Sequence, residues 1–224
     1  MAVWAQSDDT RFSIWSTRYT PSSGWSDAAQ IETNNVGDAS APQVAVDPQG
    51  DAVAVWHQSN GTRSDIWANR YTPSGDWGEA ERIEREEEGD ALNPQLGVDS
   101  HGAAVVVWVQ LDASPGIWSN RYAPSDGWGT PARIDADEAR EPRIAVERTG
   151  DAVTVWRKLD GGGDHIWSSW YSAGGAWGAA TAIDGDAIGA ANSPRVSMNP
   201  SGDAVAVWTV FGGSGAGIWS NRRE

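Results

Sequence analysis

The sequence contains no cysteine, which excludes disulfides, thiolate metal sites and cysteine nucleophiles. Phe and Met are nearly absent, at 2 each. Positive charge is also scarce: 16 Lys and Arg stand against 31 Asp and Glu, a formal net charge of -15 over 224 residues. Nucleic acid and anionic membrane are bound by basic surfaces that displace counterions, so neither is expected as a partner. No stretch approaches the ~20 apolar residues of a membrane-spanning helix, so no membrane insertion is expected. The opening "MAVWAQSDDT" has no basic start and no apolar run, and is not read as a signal peptide. A cell-surface or extracellular parent would carry its export signal elsewhere. Glycans and protein partners remain.

What is abundant is Trp (15) and Gly (26), and the Trp are periodic. Trp4, Trp56, Trp108, Trp156 and Trp208 each close a run such as "AVAVW" or "VVVW". Trp15, Trp67, Trp118, Trp167 and Trp219 each follow Ile. Trp25, Trp77, Trp128 and Trp177 form a third set, and only Trp170 falls outside the register. Spacing within the first set is 48 to 52 residues. Such a period signals a repeat architecture.

Each period reads as four short strands. In the copy beginning at Pro42 these are "PQVAVDPQG", "AVAVWHQ", "IWANRYT" and "WGEAERIE", fenced by Gly, Pro, Asn, Asp and Ser. No window holds a helical apolar period. Three hairpins and a longer crossing describe a four-stranded meander with two apolar faces, which neighbouring copies must cover. The expected architecture is therefore all-β, a β-propeller of about five blades in a single domain spanning 1–224. Its repeats are 1–41 (partial), 42–92, 93–141, 142–193 and 194–224 (partial). The first blade would lack its innermost strand and the last its outermost, so a closed five-bladed monomer competes with a strand-sharing homo-oligomer.

The third turn carries a family likeness. "SSGWS" at Ser22–Ser26, "SGDWG" at Ser74–Gly78 and "SDGWG" at Ser125–Gly129 resemble degenerate Asp-boxes of sialidase-type propellers; "AGGAWG" at Ala173–Gly178 has lost both Ser and Asp. The whole repeat is similar to the Trp-rich blades of tachylectin-type and fucose-binding propeller lectins. The resemblance implies a propeller whose Asp-boxes are structural and lie away from the ligand.

Most Trp are expected to fill the wedge between blades. Those bordering the second–third loop also suit sugar stacking, with Gln two residues on as a hydroxyl partner. The candidate ligand-binding set is Trp4, Trp15, Gln6, Trp56, Trp67, Gln58, Trp108, Trp118 and Gln110; Lys158 and Val210 break the Gln pattern. Arg18, Arg70, Arg121 and Arg222 recur in the third strand and read as bridges between blades. His57, His101 and His165 read as exposed loop residues, and the acidic connections Glu84–Asp90 and Asp135–Pro142 as solvated charge. There is no GxSxG and no calcium-loop spacing. The expected function is a non-catalytic, multivalent carbohydrate-binding (lectin-like) module, with no catalytic residues, metal or cofactor. The alternatives are a protein-interaction or structural propeller of a larger bacterial-type protein, and a sialidase-like glycosidase.

Overall fold

The computed structural model describes residues 1–85, 88–185, 189–212 and 215–223. Among them every regular element is a β-strand. The first sheet holds β1 (Ala2–Ser7), β2 (Phe12–Thr17) and β5 (Ala29–Gln30), with β3 (Tyr19–Thr20) and β4 (Gly24–Trp25) pairing at the hairpin between β2 and β5. The second runs through β6 (Ala39–Val46), β7 (Ala52–Ser59), β8 (Ser64–Thr72), β9 (Asp76–Trp77) and β10 (Glu81–Arg82). The third holds β11 (Asp90–Val98), β12 (Ala104–Leu111), β13 (Gly116–Ala123), β14 (Gly127–Trp128) and β15 (Ala132–Asp135). The fourth holds β16 (Ala139–Val146), β17 (Ala152–Asp160), β18 (Gly163–Tyr171) and β19 (Thr181–Ala182). The fifth holds β20 (Ala190–Met198), β21 (Ala204–Gly212) and β22 (Gly215–Arg223). Neighbouring strands in each ladder are antiparallel, and consecutive sheets pack on one another as the blades of a β-propeller.

Each interface between blades has one fully buried Trp at its centre. Trp56 packs against Ile14 and Ile31 of the first blade, and Trp108 against Val53, Val55, Ile66 and Ile83 of the second. Trp156 meets Val107, Val109 and Ile117, and Trp208 meets Val155 and Ile166. This explains why β7, β12 and β17 read as continuous apolar runs rather than alternating ones: both faces are covered. Fully burying each such side chain stabilises by about 1.5–3 kcal/mol. Toward the axis space is short. A Cβ on Gly97 would collide with Val146 of the next blade.

Strand boundaries differ from the sequence reading. The innermost strands β6, β11, β16 and β20 begin before the "PQ" and "PR" dipeptides, not at them. Each carries a bulge just ahead of the proline, at Ala41, Asn93, Glu141 and Ser193, with φ of 50–55°. Proline has no N–H to give to a ladder, so the extra residue lets the strand pass it without losing register beyond.

Two turns recur. After each innermost strand, the carboxylate or amide of Asp47, Asp99, Glu147 or Asn199 accepts backbone N–H groups of the following turn. At the third turn, Gly24, Asp76, Gly127 and Gly174 occupy the left-handed region, at φ of 62–77°. Tyr19, Tyr71 and Tyr122 there meet Trp25, Trp77 and Trp128 edge to face, and Tyr171 meets Trp177 at a tilt.

The third-strand Arg bridge the blades. Arg18 donates to the Tyr71 hydroxyl at 2.7 Å, while Arg70 and Arg121 lie over the rings of Tyr122 and Tyr171. Trp170, which replaces the fourth Arg, lies under the guanidinium of Arg223.

Candidate functional site

The repeated Trp–Gln pairs bond internally. Trp4, Trp56 and Trp108 donate their indole N–H to Oε1 of Gln6, Gln58 and Gln110 at 3.0, 3.0 and 3.1 Å. Gln58 and Gln110 give their amide N–H to the backbone carbonyls of Asn34 and Glu88. Trp56, Trp108, Gln58 and Gln110 have essentially no accessible surface, so the sugar-contacting role expected of these four is corrected. A bulky donor buried between blades needs an acceptor, and the Gln supplies it. Of the other expected residues, Trp4, Trp15, Trp67 and Trp118 are half-buried and Gln6 is exposed.

A second repeated position escaped the sequence reading. The acid that follows Ile at the end of the fourth strand (Glu32, Glu84, Asp135, Asp184) is held by polar or charged neighbours, in its own blade for Glu32, Glu84 and Asp184 and in the next blade for Asp135. Glu32 accepts from the backbone N–H of Ile14 and from the amide of Gln30. Glu84 is buried beside Asp65; burial and the Asp65 charge push its pKa up to about 7. Asp135 accepts both the Trp156 indole N–H (2.9 Å) and Lys158 Nζ (2.8 Å). Asp184 meets His165 Nδ1 at 3.1 Å. The signal was present as "IE", "IE", "ID" and "ID" at constant offset from the Trp. Of the acidic connection Glu84–Asp90, residues 86–87 lie outside the described residues.

Residues that break the repeat collect on the fourth blade. Its β17–β18 ladder ends in the two-residue turn Gly161–Gly162, both at positive φ, the backbone of a tight hairpin. Lys158 stands opposite His165, and Leu159 opposite Asp164. On the face toward the fifth blade, Arg157 reaches Glu141 (3.6 Å) and Asp164 (3.8 Å), and Glu141 also accepts the backbone N–H of Ser193. A cleft of ≈ 480 Å³ opens here, lined by Leu159, Gly161, Gly162, Gly163, Asp164, His165, Gly189 and Ala190.

His165 is held by a carboxylate that is itself buried, so its Nδ1 is engaged and its Nε2 is left to the cleft side. A Cβ on Gly163 would stand 3.3 Å from Nε2, so glycine keeps that side open. The histidines thus depart from expectation. His165 lies in a strand with a partner, and so does His57, bonded to Ser40 Oγ at 2.8 Å; only His101 is an exposed turn residue. Among the described residues no three His, Asp or Glu side chains converge as metal ligands, and no helix is long and apolar enough to cross a membrane.

No protein-family model matches the sequence, and a search of curated proteins finds no match. Solved structures share its shape. A protein of unknown function from Dyadobacter fermentans is 13% identical, with a TM-score of 0.63 over 94% of this chain and 68% of its own. A Hadza microbial sialidase is 14% identical, with a TM-score of 0.54 over 94% of this chain and 50% of its own. This chain therefore spans half the length of that sialidase chain. An endo-arabinase from Bacteroides thetaiotaomicron is 12% identical, with a TM-score of 0.50 over 99% of this chain and 93% of its own. At such identities the likeness shows the fold: a β-propeller. It gives no support to the finer likeness to Asp-box or tachylectin-type blades. The expectation of a non-catalytic, lectin-like module is corrected here: the sialidase and the endo-arabinase of this shape are enzymes.

Proposed function

We propose that the chain is a glycan-directed propeller of the glycoside-hydrolase type, with its reactive groups on the rim of the fourth blade. One observation carries the reading. Residues that follow the repeat are consumed by packing, whereas Asp164 and His165 of the fourth blade line an open cleft, and Arg157 links Asp164 to Glu141. The enzyme names of the similarly shaped proteins support the same class.

The chemistry follows from the side chains. His165, anchored through Nδ1, carries a proton on Nε2 to the glycosidic oxygen. Asp164 and Glu141, both within reach of Arg157, offset positive charge growing on the sugar ring, and one of them takes a proton from the attacking water. The C–O bond to the leaving sugar breaks, its oxygen keeps the proton from His165, and the water oxygen bonds to the anomeric carbon. The proton taken from water returns to His165 through solvent.

Sugar release from arabino-oligosaccharides and sialyl-oligosaccharides tests this. The wild type should turn over at least one of them. Asp164→Asn, Glu141→Gln and His165→Gln should each lose roughly 10²–10⁴-fold, the span of a positioned acid or base. No turnover by the folded wild type, or variants as active as it, would discard the reading.

A further inference from the structure

The repeat supplies its own control for what a covered blade looks like. Ile14, Ile66, Ile117 and Ile166 occupy one position on the face that each blade turns to the next, and all are 0% exposed; Ile218, the fifth, is 77% exposed. Val55, Val107 and Val155 are at most 1% exposed, whereas Val207 is 37%, and Val205 is 48% where Val53, Val105 and Val153 reach at most 3%. The fifth blade thus presents, uncovered, the same apolar surface that four interfaces in this chain bury.

The first blade presents the other half. Trp56, Trp108, Trp156 and Trp208 are buried by a preceding blade, while Trp4 at the same position is only half-buried. Tyr71, Tyr122 and Tyr171 each receive an Arg from the blade before; Tyr19 is 52% exposed.

From this pair of orphan faces we propose that two copies of this chain associate head to tail, the first blade of one seating on the fifth blade of the other. The contact would continue the interface already built between blades: Trp4 enters the surface formed by Val205, Val207 and Ile218 as Trp56 enters that of Ile14 and Ile31. Residues i and j come from different patches, so the interface is heterologous, and each copy added leaves one face of each kind until a ring closes. The inference is independent of the reading of the fourth blade.

The test is light scattering on the 224-residue chain across a concentration range, beside two blocked variants. Ile218→Asp destroys only the fifth-blade face, and Trp4→Asp only the first-blade face. The wild type should show a mass that is a multiple of 23.9 kDa. Each variant alone should be a monomer. Their equimolar mixture should stop at a dimer, because it holds one intact face of each kind. Ile218→Ser serves as a second fifth-blade variant should the aspartate impair folding, and far-UV circular dichroism checks all three. A wild type that stays monomeric at every concentration would overturn the proposal, in favour of closure on its own first blade or of a cover from another protein. Variants that still assemble, or a mixture that does not pair, would overturn it equally.

Discussion

Trp56 donates its indole N–H to Oε1 of Gln58, two residues along the same strand, and neither side chain reaches solvent. The bond recurs at Trp108 and Gln110. It fails at the fifth copy, where Val210 stands in place of Gln and the Trp208 indole N–H is buried without a partner. Replacing Gln58 by Leu should therefore destabilise by about 1–3 kcal/mol, since a buried indole N–H and the Asn34 carbonyl both lose a partner. Val210→Gln should act oppositely, gaining about 1 kcal/mol through the restored bond. Urea denaturation of both variants checks the pair of signs.

The same Trp repeat predicts unequal costs for one substitution. Trp108→Ala opens a cavity at a closed interface and should cost about 3–5 kcal/mol. Trp25→Ala removes a half-exposed ring whose main contact is the edge of Tyr19, and should cost about 1 kcal/mol or less. Thermal unfolding midpoints, compared side by side, measure the difference.

Stability should fall as pH rises past Glu84. Burial, reinforced by the Asp65 carboxylate, pushes this group up to about 7 from its ordinary value of 4.5. Between those values the folded state holds a proton that the unfolded chain has released. The contribution is thus fully present below about 4.5 and lost as pH climbs through about 7. Glu84→Gln keeps the shape and removes the charge, so it should flatten this part of the profile and gain most over wild type above pH 7. Chemical denaturation at several pH values reads it out; a wild type as stable at pH 8 as at pH 5.5 would contradict the assignment.

Much of the architecture was legible because one side chain had to be repeated. A blade cannot bury two faces alone, so the Trp at its centre returns every period and marks the blade count. Strand starts were less legible. Pro42, Pro94, Pro142 and Pro194 look like beginnings, yet each sits inside a strand, behind a left-handed residue that the bulge accommodates. The site was obscured for a different reason. Gln beside Trp is equally apt for a hydroxyl group and for an indole N–H, and only burial decides between them. His165 and Asp184 lie 19 residues apart, and the turn that joins them is a fact of the blade rather than of local spacing. What could have been read is the departure from pattern, since Lys158 and Trp170 already set the fourth copy apart.

The central claim is that the repeated Trp serve packing while the repeat-breaking side chains of the fourth blade face the ligand. Nuclear magnetic resonance tests it in one titration, by following the His165 imidazole and the Trp56 and Trp108 indole N–H signals as arabinotriose or sialyllactose is added. The account predicts that the His165 signals move with one of these sugars while the two indole signals stay fixed. Indole shifts at Trp56 and Trp108 with His165 unmoved would contradict it.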